Sequence, residues 1–164
     1  MTIIIDGMDS NKLLVPNLQR PSKDLDSANA TKLGLMGVKV VCGQVHQYMY
    51  LSSGRFSKNA NGPWNALIDA LVKHKERGIP LPENLSLQLD NCPSENKSVA
   101  IYILFASLVG LGVFKTVTVN YLIVGHTHED IDQIFSTLSR YINNVDLYTP
   151  ADMLEVRRFT LSRS

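Results

Sequence analysis

The sequence predicts an α/β protein built on a mixed five-stranded sheet with helices on both faces. Short β-rich runs stand at 2–5, 38–41, 45–51, 85–89 and 116–124, and helical patterns follow the third, fourth and fifth of them. Two of those runs close on an aspartate, Asp6 and Asp90. The fifth leads into Gly125-His126-Thr127-His128-Glu129-Asp130-Ile131-Asp132, which sets two imidazoles and three carboxylates within seven residues.

Each element has a local reason. Thr2-Ile3-Ile4-Ile5 is β-branched and is expected to stop at Asp6-Gly7. Asn11 to Lys32 is polar, carries Pro16 and Pro21, and reads as a long connection of the kind that often has a function. Val38–Val41 and Val45–Leu51 form a hairpin around Cys42-Gly43-Gln44. A helix is predicted from Pro63 to Arg77, with Asn61-Gly62 at its cap and Trp64, Leu67, Ile68, Leu71 and Val72 as its apolar stripe. Gly78 stops it, and Pro80 and Pro82 follow. Leu85, Leu87 and Leu89 alternate with Ser86 and Gln88 in a strand ending at Asp90. A largely apolar helix is predicted over 97–111 and an amphipathic one over 130–144; Thr149-Pro150 starts a short last helix. Residues 1–146 then make the core domain, and 147–164 a short helix and tail.

With 164 residues, 45% apolar and 19% charged, the chain suits one soluble domain with a real core. No apolar run approaches the roughly 20 residues of a membrane span, and no secretory signal is visible. Cys42 and Cys92 are isolated and read as buried thiols in a reducing compartment. A net charge of +1 argues against strong autonomous nucleic-acid binding, because phosphate neutralisation drives such affinity. Any DNA binding by the isolated chain is therefore expected to be weak. Arg157, Arg158 and Arg163 read as a solvated end.

The order β-β-β-α-β-α-β-α is that of the ribonuclease H-like fold. Its first three strands form a meander, and its fourth and fifth run parallel to the first through right-handed crossovers. The first and fourth strands are neighbours there, so Asp6 and Asp90 come side by side at the carboxyl edge of a parallel pair, where such sheets place sites. Two adjacent carboxylates repel unless a cation lies between them. Magnesium takes one or two carboxylates together with phosphate oxygens, and a third carboxylate would complete a two-metal site for phosphoryl chemistry. Asp9 could stand in for Asp6 but lies beyond the strand.

Helical geometry ranks the candidates for the third ligand. Ile131, Ile134, Phe135, Leu138, Tyr141 and Ile142 define a buried stripe, and Glu129 points away from it. Asp130 stands three residues after Thr127, as in a capping box. Asp132 has no such structural explanation and is preferred as the ligand; His128, four residues before it, shares its flank. His126, His128 and Asn91 are candidate site-lining residues, and Lys58 could meet a phosphate. A zinc reading of His126-x-His128-x-Asp130, as in metallo-β-lactamase-like hydrolases, fails on two counts. Ile131 replaces the final histidine, and no histidine follows His128.

Asp6-Gly7-Met8-Asp9, Leu89-Asp90-Asn91 with Glu95-Asn96-Lys97, and Val124 to Asp132 with Phe135 resemble a family of eukaryotic, transposon-derived domains similar to integrase and transposase cores. The resemblance spans Asp6 to about Tyr141. Integrase-type cores carry a Thr-Leu pair five and six residues after their third carboxylate, and Asp132 has Thr137 and Leu138 there. The resemblance implies a DDD triad of Asp6, Asp90 and Asp132 that binds two Mg2+ or Mn2+ ions and performs DNA cleavage and strand transfer. Asp6 would bridge both metals, and His128 would position water or phosphate. It also implies an intracellular, nuclear protein with no membrane contact. Transposases set DNA-binding domains before this core, and the first strand begins here at Thr2. A truncated or domesticated remnant is therefore expected, with any oligomer formed through missing flanking regions. The alternatives are a catalytically silent interaction module of the same origin and a related nuclease of the same fold.

Overall fold

A computed structural model describes residues 1–20, 30–53, 61–90, 97, 99–121 and 130–161. Six strands, β1 (Thr2–Met8), β2 (Leu14–Val15), β3 (Thr31–Cys42), β4 (Gln44–Ser53), β5 (Asn84–Leu89) and β6 (Thr116–Tyr121), form a mixed sheet. The described helices are α1 (Asn61–Glu76), α2 (Val99–Gly110), α3 (Asp130–Ile142) and α4 (Pro150–Leu161), with one 3-10 turn at Ser10–Lys12. The strand order is β2-β3-β1-β5-β6, with β4 pairing to β3. The mixed α/β class stands as expected, with six strands in place of five. The extra one, β2, is only two residues long and pairs antiparallel through Leu14↔Lys32 and Val15↔Thr31.

Two strands differ from expectation in extent. β1 does not stop at Asp6-Gly7 but runs on to Met8, whose side chain is buried. Gly7 has no positive φ, so it makes no turn, and burial of Met8 keeps the chain extended. Asp6 therefore lies inside a strand and not at its end. β3 begins seven residues before the expected Val38, inside the predicted long connection. Its first half carries Lys32 and Gly34, which break the apolar pattern. A Cβ at Gly34 would fall 2.5 Å from Ser52 Oγ, so a larger residue there would make the Ser52 hydroxyl turn away. The hairpin expected around Cys42-Gly43-Gln44 turns on Gly43 alone, φ 71°, with Cys42 and Gln44 inside the strands.

The chain divides into two compact units. The first comprises 1–6, 36–48 and 58–127. Its centre is the parallel pair β1·β5, registered Thr2↔Ser86 to Ile5↔Leu89, followed by β5·β6, registered Asn84↔Thr116 to Leu89↔Tyr121. Ile3, Ile5, Leu85, Leu87 and Leu89 are almost wholly buried, each contributing on the order of 1.5–3 kcal/mol. α1 buries Trp64, Ala66, Leu67, Ala70, Leu71 and His74, while Ile68 and Val72 of the predicted stripe are exposed. α2 buries Ile101, Phe105 and Leu108, and the Phe105 ring meets Trp64 edge-on with centroids 5.2 Å apart. Gly78 (φ 76°) and Gly112 (φ 69°) end the two helices in the left-handed conformation.

The second unit comprises 7–35, 49–57 and 128–164. α3 buries Ile131, Phe135, Leu138 and Ile142, while Tyr141 of the predicted stripe is exposed. α4 is a full twelve-residue helix, not a short one, and packs on α3. Asp152 Oδ2 accepts from the backbone N–H of Tyr148 and Thr149, both at 2.9 Å, and these bonds hold its carboxyl below the usual range. Asn17 ties the segment after β2 to the α3–α4 turn. Its backbone exchanges two 2.8 Å hydrogen bonds with Leu147, and its Nδ2 donates to Ile142 O at 3.1 Å. Cys42 is a free thiol, half-buried, and Cys92 lies outside the described residues.

The first unit also buries imidazole. His74 on α1 is fully buried, and neither of its ring nitrogens has a hydrogen-bond partner among the described residues. His46 on β4 lies edge-on at 6.0 Å between centroids and accepts from Arg77 Nη1 at 2.6 Å through Nδ1. Burial, then the neighbouring His46, Arg77 and chain amine, push the His74 pKa below its ordinary 6.5. The folded state thus selects neutral His74, and its contribution is complete above pH 6.5 and lost as pH falls toward the lowered folded value. Wild type should therefore lose melting temperature between pH 7.5 and 5, and His74→Leu should lose measurably less over the same interval in thermal denaturation.

Candidate functional site at the carboxyl edge of the parallel strands

The strongest candidate is assembled within the first unit by strand register. Ile5, Leu89 and Tyr121 are paired across β1, β5 and β6. Asp6 and Asp90 each follow a paired residue. Neighbouring strands lie about 4.8 Å apart, so the two aspartates occupy adjacent backbone positions where the parallel pairing ends, two residues before the end of β1. Asp6 is half-buried and Asp90 is exposed. The buried Ile5 and Leu89 beside them fix the backbone from which both carboxylates project.

Tyr121 closes the described part of β6 at the same edge. Its hydroxyl meets that of Tyr102 on α2 at 3.1 Å, and Lys97 Nζ lies 4.8 Å from its ring centroid. Burial, the Tyr102 hydrogen bond and the charge of that neighbour push the Tyr121 phenol up to about 12. The edge therefore holds two acidic side chains, an exposed lysine and a phenol that stays protonated at neutral pH. Sequence reading passed over Tyr121 and Tyr102. Lys97 was visible only as part of the Glu95-Asn96-Lys97 block; its spacing gave no sign that it would cover a tyrosine one strand further on.

The other expected residues are distributed as follows. Asp132 lies on α3 in the second unit, half-exposed and next to buried Ile131. Asp9 caps the 3-10 turn, its Oδ1 accepting from Asn11 N at 3.0 Å, which gives it a structural role. Asp130 is the first residue of α3; its side chain, and Lys58, Asn91, His126, His128 and Glu129, lie outside the described residues. Among the described residues, no group of three His, Cys, Asp or Glu side chains is placed to hold a metal ion. The Asp6–Asp90 pair offers oxygen donors only. That set fits a hard cation such as Mg2+ or Mn2+, which uses one or two carboxylates and completes its shell with water or phosphate. It does not fit zinc, which favours nitrogen and sulfur.

Tyr102 gives this edge a spectroscopic handle. Because Tyr121 is held above its ordinary 10.0, the folded state favours its neutral form up to that pH and loses this preference as pH rises toward 12. Tyr102→Phe should lower the Tyr121 pKa in ring-carbon NMR titration while leaving it above 10.0, because burial is the larger cause.

No described helix is long and apolar enough to cross a membrane. Comparison with curated proteins and with solved structures finds no match. Residues 23–163, which leave out β1 and β2, match a domain of unknown function, DUF7869, and the chain belongs to that family.

Proposed function

We propose that this chain is a ribonuclease H-like catalytic core of the transposase or integrase type, using a divalent cation to cleave DNA phosphodiester bonds in the nucleus. The observation that carries the reading is the Ile5↔Leu89 register, which sets Asp6 and Asp90 at neighbouring positions on the carboxyl edge. The path β3-β1-β5-β6, with β4 pairing to β3 and with β1, β5 and β6 parallel, is compatible with the strand arrangement expected of that fold. Asp6 and Asp90 would hold Mg2+ or Mn2+. Bound there, the cation would lower the pKa of a water nucleophile and neutralise charge on the leaving oxygen. Lys97 would attract the phosphate backbone, and Tyr121 would keep its proton to donate a hydrogen bond.

The test is nicking of supercoiled DNA in Mn2+, paired with the melting temperature of the protein with and without Mn2+. Wild type should nick and gain melting temperature on adding Mn2+. Asp6→Asn and Asp90→Asn should each lose nicking by at least 100-fold, the scale of a lost electrostatic contact to the transition state. Both should also lose the Mn2+-dependent gain in stability. Wild type that neither nicks nor responds to Mn2+ overturns the reading.

A further inference from the structure

We infer that Tyr121 is a positioning residue of the carboxyl edge, whose ring holds the Lys97 ammonium for a backbone phosphate of DNA beside the Asp6–Asp90 pair. The inference rests on the reading of that pair as a cation-assisted nuclease site, and it names the side chains that would meet the substrate next to it. Lys97 stands two residues before α2 and is exposed. A lysine in that setting has a flexible four-carbon stem and little to fix it. Here its Nζ lies 4.8 Å from the centre of the Tyr121 ring, within the range of a cation–π contact.

The ring is itself fixed at both ends. Tyr121 is paired with Leu89 in the β5·β6 register, and Leu89 is fully buried. The Tyr121 hydroxyl meets that of Tyr102, near the start of α2, at 3.1 Å. The strand sets where the ring begins, and the helix sets where it ends. Asp90 follows Leu89 on the neighbouring strand. The tyrosine that carries Lys97 therefore stands one strand over and one residue back from a carboxylate of the pair.

Lys97 differs from other lysines of the chain in having a partner without charge. Lys73 is paired with Asp69 and Lys115 with Glu83, so each of those cations is compensated. Among the described residues no carboxylate pairs with Lys97. A ring orients an ammonium without cancelling its charge, so the Lys97 cation and its N–H donors stay available to an anion. The neighbouring acidic pair calls for phosphate as that anion, because a hard cation on one or two carboxylates completes its shell with phosphate oxygens. Lysine acts on phosphate as a point charge, and phosphate contacts carry no sequence information. The contact is therefore with the DNA backbone and not with a base.

Two measurements on the intact chain test this, and neither needs cleavage. In proton NMR the Lys97 ε-methylene should be shifted upfield by the Tyr121 ring in wild type and in Tyr121→Phe, and should return to the ordinary lysine position in Tyr121→Leu. Binding of a fluorescent DNA duplex in Mg2+ is then followed by anisotropy across a salt series. Lys97→Gln and Tyr121→Leu should each lower the slope of log affinity against log salt by about one, and the double variant no further. Tyr121→Phe, which keeps the ring, should keep the wild-type slope. Circular dichroism checks folding; if Tyr121→Leu fails to fold, the wild-type methylene shift and the exposed Lys97→Gln variant carry the test. An unshifted Lys97 methylene overturns the inference, as does a wild-type slope in Lys97→Gln or in folded Tyr121→Leu, or a Tyr121→Phe that behaves as Tyr121→Leu. A wild type with these shifts and slopes that never nicks DNA overturns the nuclease reading alone, and one that does not bind the duplex overturns both.

Discussion

Parallel pairing of β1 with β5 is the constraint on which the candidate site depends. Parallel strands cannot be joined by a tight turn, so the pair brings together residues more than eighty positions apart. What holds it is burial: Ile3, Ile5, Leu85, Leu87 and Leu89 leave almost no surface to water. A slip of one residue would turn each of these side chains to the opposite face, so the register is strongly specified. Once it is set, the positions of Asp6 and Asp90 follow without any contribution from the loops. The same register carries on to β6 and places Tyr121 on the same edge. The acidic pair and the phenol are thus positioned by one set of buried aliphatic side chains.

The first unit carries an unusual polar load near that core. His74 is wholly buried without partners among the described residues, and the nearby charges of Arg77 and the chain amine are of one sign. An imidazole in such a place stays neutral, and the β4–α1 contact is sensitive to protonation as a result. Tyr48 adds to the cluster: the Lys73 and Arg77 cations lie 5.8 and 5.5 Å from its ring centroid. These cations sit at the C-terminal end of α1, where a helix favours positive charge. That accounts for the basic run Lys73-His74-Lys75 without assigning it a ligand.

Much of the fold was legible because the deciding signals are local. The Leu85-Leu87-Leu89 alternation, the glycine stops at Gly43 and Gly78, and the order of elements led to the parallel neighbours β1 and β5. The parts that were not legible depend on contacts distant in sequence. β2 is too short to show a period, and Gly34 interrupts the apolar pattern in the first half of β3. Asp6-Gly7 reads as a strand end because that pair often turns, and only burial of Met8 reveals that it does not. The His46–His74 contact and the Tyr102–Tyr121–Lys97 group join a strand to helical or loop residues with no shared motif. α2 is largely apolar by composition, yet only Ile101, Phe105 and Leu108 of it are buried.

The central claim is that Asp6 and Asp90 form one cation site fixed by the Ile5↔Leu89 register. Paramagnetic broadening by Mn2+ in amide NMR spectra of the intact chain tests it most directly, since it reports proximity without requiring activity or DNA. The account predicts that substoichiometric Mn2+ broadens the amides of Asp6, Gly7, Leu89, Asp90 and Tyr121 first and together, and that Mg2+ in excess restores them. Broadening that leaves these amides sharp, or that affects the β1 end without the β5 end, would contradict it.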